Sequence, residues 1–281
     1  MKLSDNHVHT SFSADSDTPM EAMIREGIKK GLSSICFTDH TDFLFPKERY
    51  QMEFEFDVDR YFMTVRQLQE NYPNFPIYAG IELGLKNDVL AMNQALTKKY
   101  PFDFVIGSTH LVDNIDPYYE DYWEAHGEEN GIRHYYEVTL ENVNNSFDYD
   151  VYGHIDYVIR YCPTIKKARE QQEINESYYT HSLEKNKKII QEILSTLIQK
   201  KKGIEINTGG YKYGLGHPNP HETILSWYKE LGGKIVTIGS DAHETTFLAY
   251  DFNKLPGLLK SCGFDHYTVF RRRIPQSISL L

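Results

Sequence analysis

Short apolar runs and amphipathic stretches alternate along this chain from one end to the other. The runs predict strands over residues 3–8, 33–38, 77–82, 104–109, 150–155, 204–207 and 235–239, with a weaker one at 267–270. A short apolar run bounded by turn residues reads as a strand buried on both faces. Helical spacing appears between the runs, near 19–30, 57–71, 87–98, 131–146, 176–201, 220–231 and 251–260. Strand and helix in alternation predict βα units and a parallel sheet. Thr18-Pro19-Met20-Glu21 predicts a capped helix start, with the Thr18 hydroxyl as cap and Glu21 three residues on. Asn219-Pro220 predicts a similar opening for the 220–231 helix, and Lys29-Lys30-Gly31 and Lys200-Lys201-Lys202-Gly203 predict helix ends. The longest interruption, around 111–130, is acidic and aromatic (Tyr118, Tyr119, Tyr122, Trp123) and predicts an inserted loop over a site mouth.

Polar punctuation of these runs carries the chemistry. His7-Val8-His9, His40, Glu82, His110, His154, Asp241 and His243 stand at or just past successive strand ends. His7 and His9 are two apart on a strand, so their side chains share one face. One residue set per strand end is how a parallel αβ barrel assembles a site from distant segments. An open doubly wound sheet would instead draw on a few strands at one switch point. The reading is therefore an α/β barrel with a metal site at the C-terminal ends of its strands. Imidazole with carboxylate suits divalent zinc, manganese or iron.

Composition narrows the function. The net charge is −10, from 40 acidic against 30 basic residues, which argues against a nucleic-acid surface. It also means that an anionic substrate needs local positive charge to overcome the global field. No apolar run is long enough to span a membrane. The opening Met1-Lys2-Leu3-Ser4-Asp5 lacks the apolar core of a secretory signal. Cys36, Cys162 and Cys262 are few and odd in number, as expected of a reducing cytoplasm rather than a disulfide scaffold. No glycine-rich nucleotide loop is present.

The segments Asp5-Asn6-His7-Val8-His9, Thr38-Asp39-His40, Gly80-Ile81-Glu82, Gly107-Ser108-Thr109-His110, Gly153-His154 and Gly239-Ser240-Asp241-Ala242-His243 resemble, in order, the motifs of the PHP (polymerase and histidinol phosphatase) superfamily. Ser11-Phe12-Ser13-Ala14-Asp15 and Glu205-Ile206-Asn207-Thr208-Gly209-Gly210 are most similar to its monofunctional histidinol-phosphate phosphatases. A length of 281 residues suits a single barrel domain over 1–281. The resemblance, which covers residues 1 to about 270, implies a distorted (β/α)7 TIM-like barrel and three divalent ions. By motif position it implies that His7, His9, Glu82 and Asp241 hold one ion. Asp15, His40 and His243 would hold a second, and Glu82, His110 and His154 a third, with Glu82 bridging. Some superfamily members have His in place of Asp15. The implied catalytic groups are His7, His9, Glu82, Asp241 and His243, acting through direct in-line attack by metal-bound hydroxide, without a phosphoenzyme. Ser108 and Ser240 are expected to orient ligands.

Phosphate should be clamped by cations. Arg160, six residues past His154, offers bidentate geometry, and Lys212 follows the Asn207-Thr208-Gly209-Gly210 turn. Lys212 falls where an arginine is expected in related phosphatases, so bidentate contact is lost there. Asp39 is a candidate for assisting the leaving group, and the acidic 111–130 segment suits a cationic substrate end. His126, His134, His181, His217, His221 and His266 are read as structural or surface residues.

The leading expectation is a cytoplasmic phosphomonoesterase acting on L-histidinol phosphate in histidine biosynthesis, with no nucleic-acid, membrane or obligate protein partner. The alternatives are a PHP phosphoesterase for a nucleotide, oligonucleotide end or phosphotyrosyl peptide, an amidohydrolase-like metal enzyme, and a non-enzymatic metal-binding module. No lysine stands at a strand end where an amidohydrolase would carry its carbamylated ligand.

Overall fold

The computed structural model describes residues 3–146 and 148–280; Met1 and Lys2 of the opening segment lie outside it. Among the described residues ten strands follow in chain order: β1 Ser4–Asp5, β2 Ser34–Phe37, β3 His40–Thr41, β4 Ile77–Gly84, β5 Phe104–Ser108, β6 Val151–Tyr152, β7 Gly203–Asn207, β8 Val236–Gly239, β9 His266–Arg271 and β10 Ile274–Ser279. The first eight form one parallel sheet ordered β1-β2-β4-β5-β6-β7-β8, with β3 extending the β2 position alongside β4. The ends meet, because Asn6 donates its N–H to the Ile238 carbonyl, Asp241 to His7, and His9 to Ala242. Seven strand positions thus close into a distorted TIM-like barrel, as expected.

The strands are apolar because helices cover them. Val8, Ile35, Ile81, Val105, Ile204, Ile206 and Ile238 have no exposed surface. Helices Met20–Lys29, Val58–Asn71, Leu90–Lys99, Glu128–Asn145, Glu176–Gln199, Glu222–Glu230 and Leu255–Ser261 stand close to the predicted positions. Asp57 caps the second of these by accepting from the Arg60 N–H at 2.9 Å.

Local cap grammar failed twice, each time to a tertiary partner. The Thr18 hydroxyl donates to the His243 carbonyl instead of capping, and Pro19 takes the N-cap position. The Asn219 amide donates to Asp156 and Tyr179, while His221 caps Glu222–Glu230 by accepting from the Thr223 N–H. The 111–130 insertion is also not a simple loop. It holds a helix, Glu120–His126, and the start of Glu128–Asn145. Tyr122 and Trp123 turn inward, their polar tips donating to the carbonyls of Gly131 and Pro117.

The weak strand at 267–270 lies outside the barrel wall. It is β9, and it pairs antiparallel with the unpredicted β10. This hairpin sits under the N-terminal end of the barrel, where Phe270 stacks on Phe104 at the foot of β5. Helix and barrel are joined by Tyr61, whose hydroxyl reaches the carbonyls of Phe37 and Gly80 at 3.0 and 2.9 Å. Tyr61→Phe leaves these buried carbonyls without that donor, and the expected loss is about 1–3 kcal/mol in denaturant unfolding with metal content unchanged.

Candidate metal centre

All nine predicted ligand residues come together at the C-terminal mouth of the barrel. The His7 and His9 Nε2 atoms are 3.0 Å apart, which shows that the two-residue spacing does place both rings on one face. Both face Glu82 Oε2, at 3.1 and 3.5 Å, and Asp241 Oδ1, at 3.6 and 3.2 Å. Asp15 links His40 and His243, one oxygen to each Nε2 at 3.1 Å. The other oxygen of Glu82, Oε1, faces His110 Nε2 at 3.3 Å and His154 Nε2 at 3.0 Å. Three groups of donors therefore converge, and the two oxygens of Glu82 divide between two of them.

The outward ring nitrogens explain how the rings are aimed. His7 Nδ1 meets Glu205 Oε1 at 2.6 Å, and His9 Nδ1 meets the Ser13 hydroxyl at 3.0 Å. Asp42 serves two rings, meeting His40 Nδ1 at 3.0 Å and His110 Nδ1 at 2.8 Å. His243 Nδ1 meets the Asp241 carbonyl. Ring nitrogens held this way from outside leave Nε2 pointing inward, the usual support for metal-ligating imidazoles. Ser108 donates to Glu82 Oε1 at 2.6 Å, matching its expected role. Ser240 instead donates to Asp5, which also accepts from the Ser240 and Ala249 N–H groups. It therefore fixes the β8 turn rather than a ligand.

Glycines let the strands crowd this way. A Cβ on Gly239 would lie 2.3 Å from that of His7, and one on Gly153 2.5 Å from the Ser108 hydroxyl. Asp241 adopts a left-handed backbone (φ 55°), which an aspartate tolerates better than most residues.

Electrostatics follow the same grouping. Burial pushes the His7 imidazole down, but Glu205, Glu82 and Asp241 outweigh it and hold it well above its ordinary value. Burial opposes protonation of His40 too, yet Asp15 and Asp42 raise it to about 10. His110 is likewise raised against burial by Asp42 and Glu82. His9 has no such surplus; burial and the neighbouring His243 drive it to about 3. Glu82 and Asp241 are held far below the carboxylate range, against burial, by the histidines around them. Imidazole nitrogens facing one another with carboxylates between them make a donor set suited to borderline divalent ions. Among the described residues, subsets such as His9-His40-His243, His7-His9-Glu82, His40-Asp42-His110 and Glu82-His110-His154 can each offer three atoms within 4.8 Å.

The phosphate candidates lie beside this cluster. Arg160 is buried, with its guanidinium carbon 5.2, 4.8 and 4.4 Å from the rings of Tyr157, Tyr161 and Tyr213. Its Nε and Nη1 have no hydrogen-bond partner among the described residues. Nη1 and Asp241 Oδ2 both lie 3.7 Å from where a Gly209 Cβ would stand, so the unpartnered donors border the cluster. Lys212 leans on Phe247 and on the Tyr213 ring that Arg160 also uses. Asp39 is committed elsewhere: it accepts from the N–H and hydroxyl of both Thr10 and Ser13. His217 and His221 are buried structural groups, the latter paired with Glu176.

Asp42 and Glu205 were not predicted. Each is two residues from a polar site position, His40 and Asn207, on an otherwise buried segment. That i, i+2 relation was the available signal.

The fold and this centre define a PHP-domain protein, and the chain belongs to that family: the PHP domain model matches residues 5–209. The histidinol-phosphatase of Lactococcus lactis is 32% identical over 272 residues, spanning 96% of this chain and 95% of that protein. A Clostridium acetobutylicum protein named "Probable histidinol-phosphatase" is 31% identical across 92% of this chain and 93% of its own. The crystal structure of the Lactococcus lactis histidinol phosphate phosphatase, complexed with zinc, L-histidinol and phosphate, aligns at a TM-score of 0.83 and 31% identity, covering 98% of this chain and 99% of that one.

Glu205→Gln keeps the shape of the side chain but removes the charge against His7 Nδ1. The expected result is metal affinity weakened by about 10- to 100-fold in chelator competition, with an unchanged circular dichroism spectrum.

Proposed function

We propose that this protein hydrolyses the phosphate monoester of L-histidinol, releasing L-histidinol and phosphate, and that it does so in the cytoplasm as a step of histidine biosynthesis. The observation that carries the reading is Arg160, a buried guanidinium with unpartnered N–H donors against a cluster built for divalent ions. A buried, unsatisfied cation is costly in a protein that has no anion to receive.

His7, His9, Glu82 and Asp241 would hold one ion, Asp15, His40 and His243 a second, and Glu82, His110 and His154 a third. Bound divalent ions supply Lewis acidity toward phosphoryl oxygens and lower the pKa of an attacking water. The chain's own groups do the positioning. Arg160 offers its unpartnered Nε and Nη1 donors to the phosphoryl oxygens, and Lys212 adds a point charge. Asn207 donates to Asp241 Oδ2 and Ser108 to Glu82 Oε1, which fixes the carboxylates against rotation. The cluster is open along Asp15, His243 and His110, whose side chains are 36, 23 and 15% exposed, so the ester approaches from that side.

Asp116 supplies the complementary end. Burial raises its carboxyl to about 6, with His110 and Arg160 nearby pulling it down. Tyr118 donates its N–H to Asp116 Oδ1 at 2.8 Å, and its ring meets Tyr161 beside Arg160. An ionised Asp116 suits the cationic amino-alcohol portion of the substrate.

The test is phosphate release from L-histidinol phosphate by metal-loaded protein, with adenosine monophosphate and an aryl phosphate as controls. A kcat/KM of about 10⁴ M⁻¹s⁻¹ or more on histidinol phosphate, well above both controls, is expected. Arg160→Lys should lower it on the order of 10²-fold. Equal activity on all three esters would sink the substrate assignment.

Asp116→Asn separates the second contact by pH. The raised carboxyl is neutral below about 6 and charged above it. The ratio of mutant to parent KM for histidinol phosphate should therefore stay near unity at low pH and grow as pH rises through that value. A ratio flat with pH removes Asp116 from substrate recognition.

A further inference from the structure

We propose that Asp113, His126 and His134 form a further divalent-cation site, outside the barrel-mouth cluster, that takes zinc or a similar borderline ion and pins the insertion beside the mouth. Each of the three offers a donor atom, and these atoms all lie within 4.8 Å of one another. They come from three separate segments. Asp113 is in the turn after His110, His126 ends the helix Glu120–His126, and His134 is in the second turn of Glu128–Asn145.

The geometry is more than one hydrogen bond. His134 Nε2 and Asp113 Oδ2 are 2.8 Å apart, and that contact alone would satisfy both groups. It leaves His126 unexplained. The His126 ring lies 5.3 Å from that of His134, yet its Nε2 is buried with no hydrogen-bond partner among the described residues. An orphaned buried ring nitrogen costs on the order of 1–3 kcal/mol, and a cation shared with His134 and Asp113 removes that cost. The ring is fixed in place by Tyr122, whose centroid is 4.7 Å away and whose hydroxyl is anchored on Gly131.

Two further features fit a site of this kind. Asp113 and Asn114 both take left-handed backbone conformations (φ 52° and 59°), closing a turn tied by Val112 and Ile115 and aiming Asp113 at the helices. The Asp113 side chain is 60% and the His134 side chain 33% exposed, so an ion can enter from solvent. Two imidazoles and a carboxylate, with one position left to water, form a recurrent three-ligand zinc set. Glu137 lies 3.7 Å from His134 Nδ1, where it can hold the ring from outside, and is itself paired with Arg133. The trio shares no residue with the nine cluster ligands. An ion there would cross-link the segment leaving His110 to both helices of the insertion.

The test is zinc per chain, counted by plasma mass spectrometry after loading and desalting, for the unaltered protein, His134→Ala and Asp113→Asn. Both positions are exposed enough for the fold to accept the change, and Asp113→Asn preserves shape. The expected result is one equivalent fewer in each variant, with phosphate release retained. An unchanged count in both variants overturns the site. Loss of the whole metal complement in both overturns its independence, since the trio would then be part of the scaffold of the main cluster. The count decides the matter whether or not the protein turns over the ester proposed above.

Discussion

The carboxylate of Glu82 sits between two groups of imidazoles, with Oε2 toward His7 and His9 and Oε1 toward His110 and His154. Protonated imidazoles can share a buried barrel mouth only if negative charge is distributed among them. Two like charges 4 Å apart repel by roughly 4 kcal/mol at an effective dielectric constant of 20. His9, stacked 4.1 Å from His243, shows what happens where neutralisation runs short: burial first, and the neighbouring ring second, drive its imidazole to about 3. Where Asp42 and Glu205 stand behind a ring, the opposite occurs. Much of the mouth follows from this constraint. Ser108 fixes Glu82, Gly239 makes room for His7, and Gly153 makes room for Ser108.

How much of this was legible depends on what each residue answers to. The candidate ligands were readable because two local rules meet at them: a barrel strand is a short apolar run, and residues that build a barrel-mouth site stand at its end. His40, Glu82, His110, His154 and the Asp241–His243 pair all obey both. Asp42 and Glu205 answer to a different rule, namely which outward ring nitrogen they meet. Glu205 meets one 198 residues away in sequence, so its two-residue spacing from Asn207 marks a polar group on a buried segment without naming the partner it meets.

The misreadings share a cause. Thr18 and Asn219 both have the chemistry of an N-cap, and each was taken by a buried tertiary partner instead. Ser240 looked like a support for its neighbour Asp241 but bonds back across the barrel seam to Asp5. The insertion looked like a loop because its acidic and aromatic residues carry no clean helical stripe. It folds because Tyr122 and Trp123 bury their rings and find carbonyls for their polar tips. In each case a local preference worth about 1 kcal/mol yielded to a buried polar group that needed a partner.

An acidic protein also faces a choice in how it keeps a cation near the barrel mouth. A carboxylate beside Arg160 would hold the guanidinium in place, but it would consume the N–H donors and cancel the charge. Tyr157, Tyr161 and Tyr213 surround it instead. Aromatic faces attract a cation through their quadrupoles without accepting its in-plane hydrogen bonds. The charge and part of the donor fork are thus kept for a ligand, at the cost of unsatisfied N–H groups in its absence. Asp241, a carboxylate that pulls on Arg160 electrostatically, is already held by Asn207 and faces His7 and His9. The aromatic richness of this chain, 14% by composition, therefore acts at the site as well as in the core: it lets a protein of charge −10 keep a guanidinium with unpartnered Nε and Nη1 donors beside a cluster of imidazoles and carboxylates.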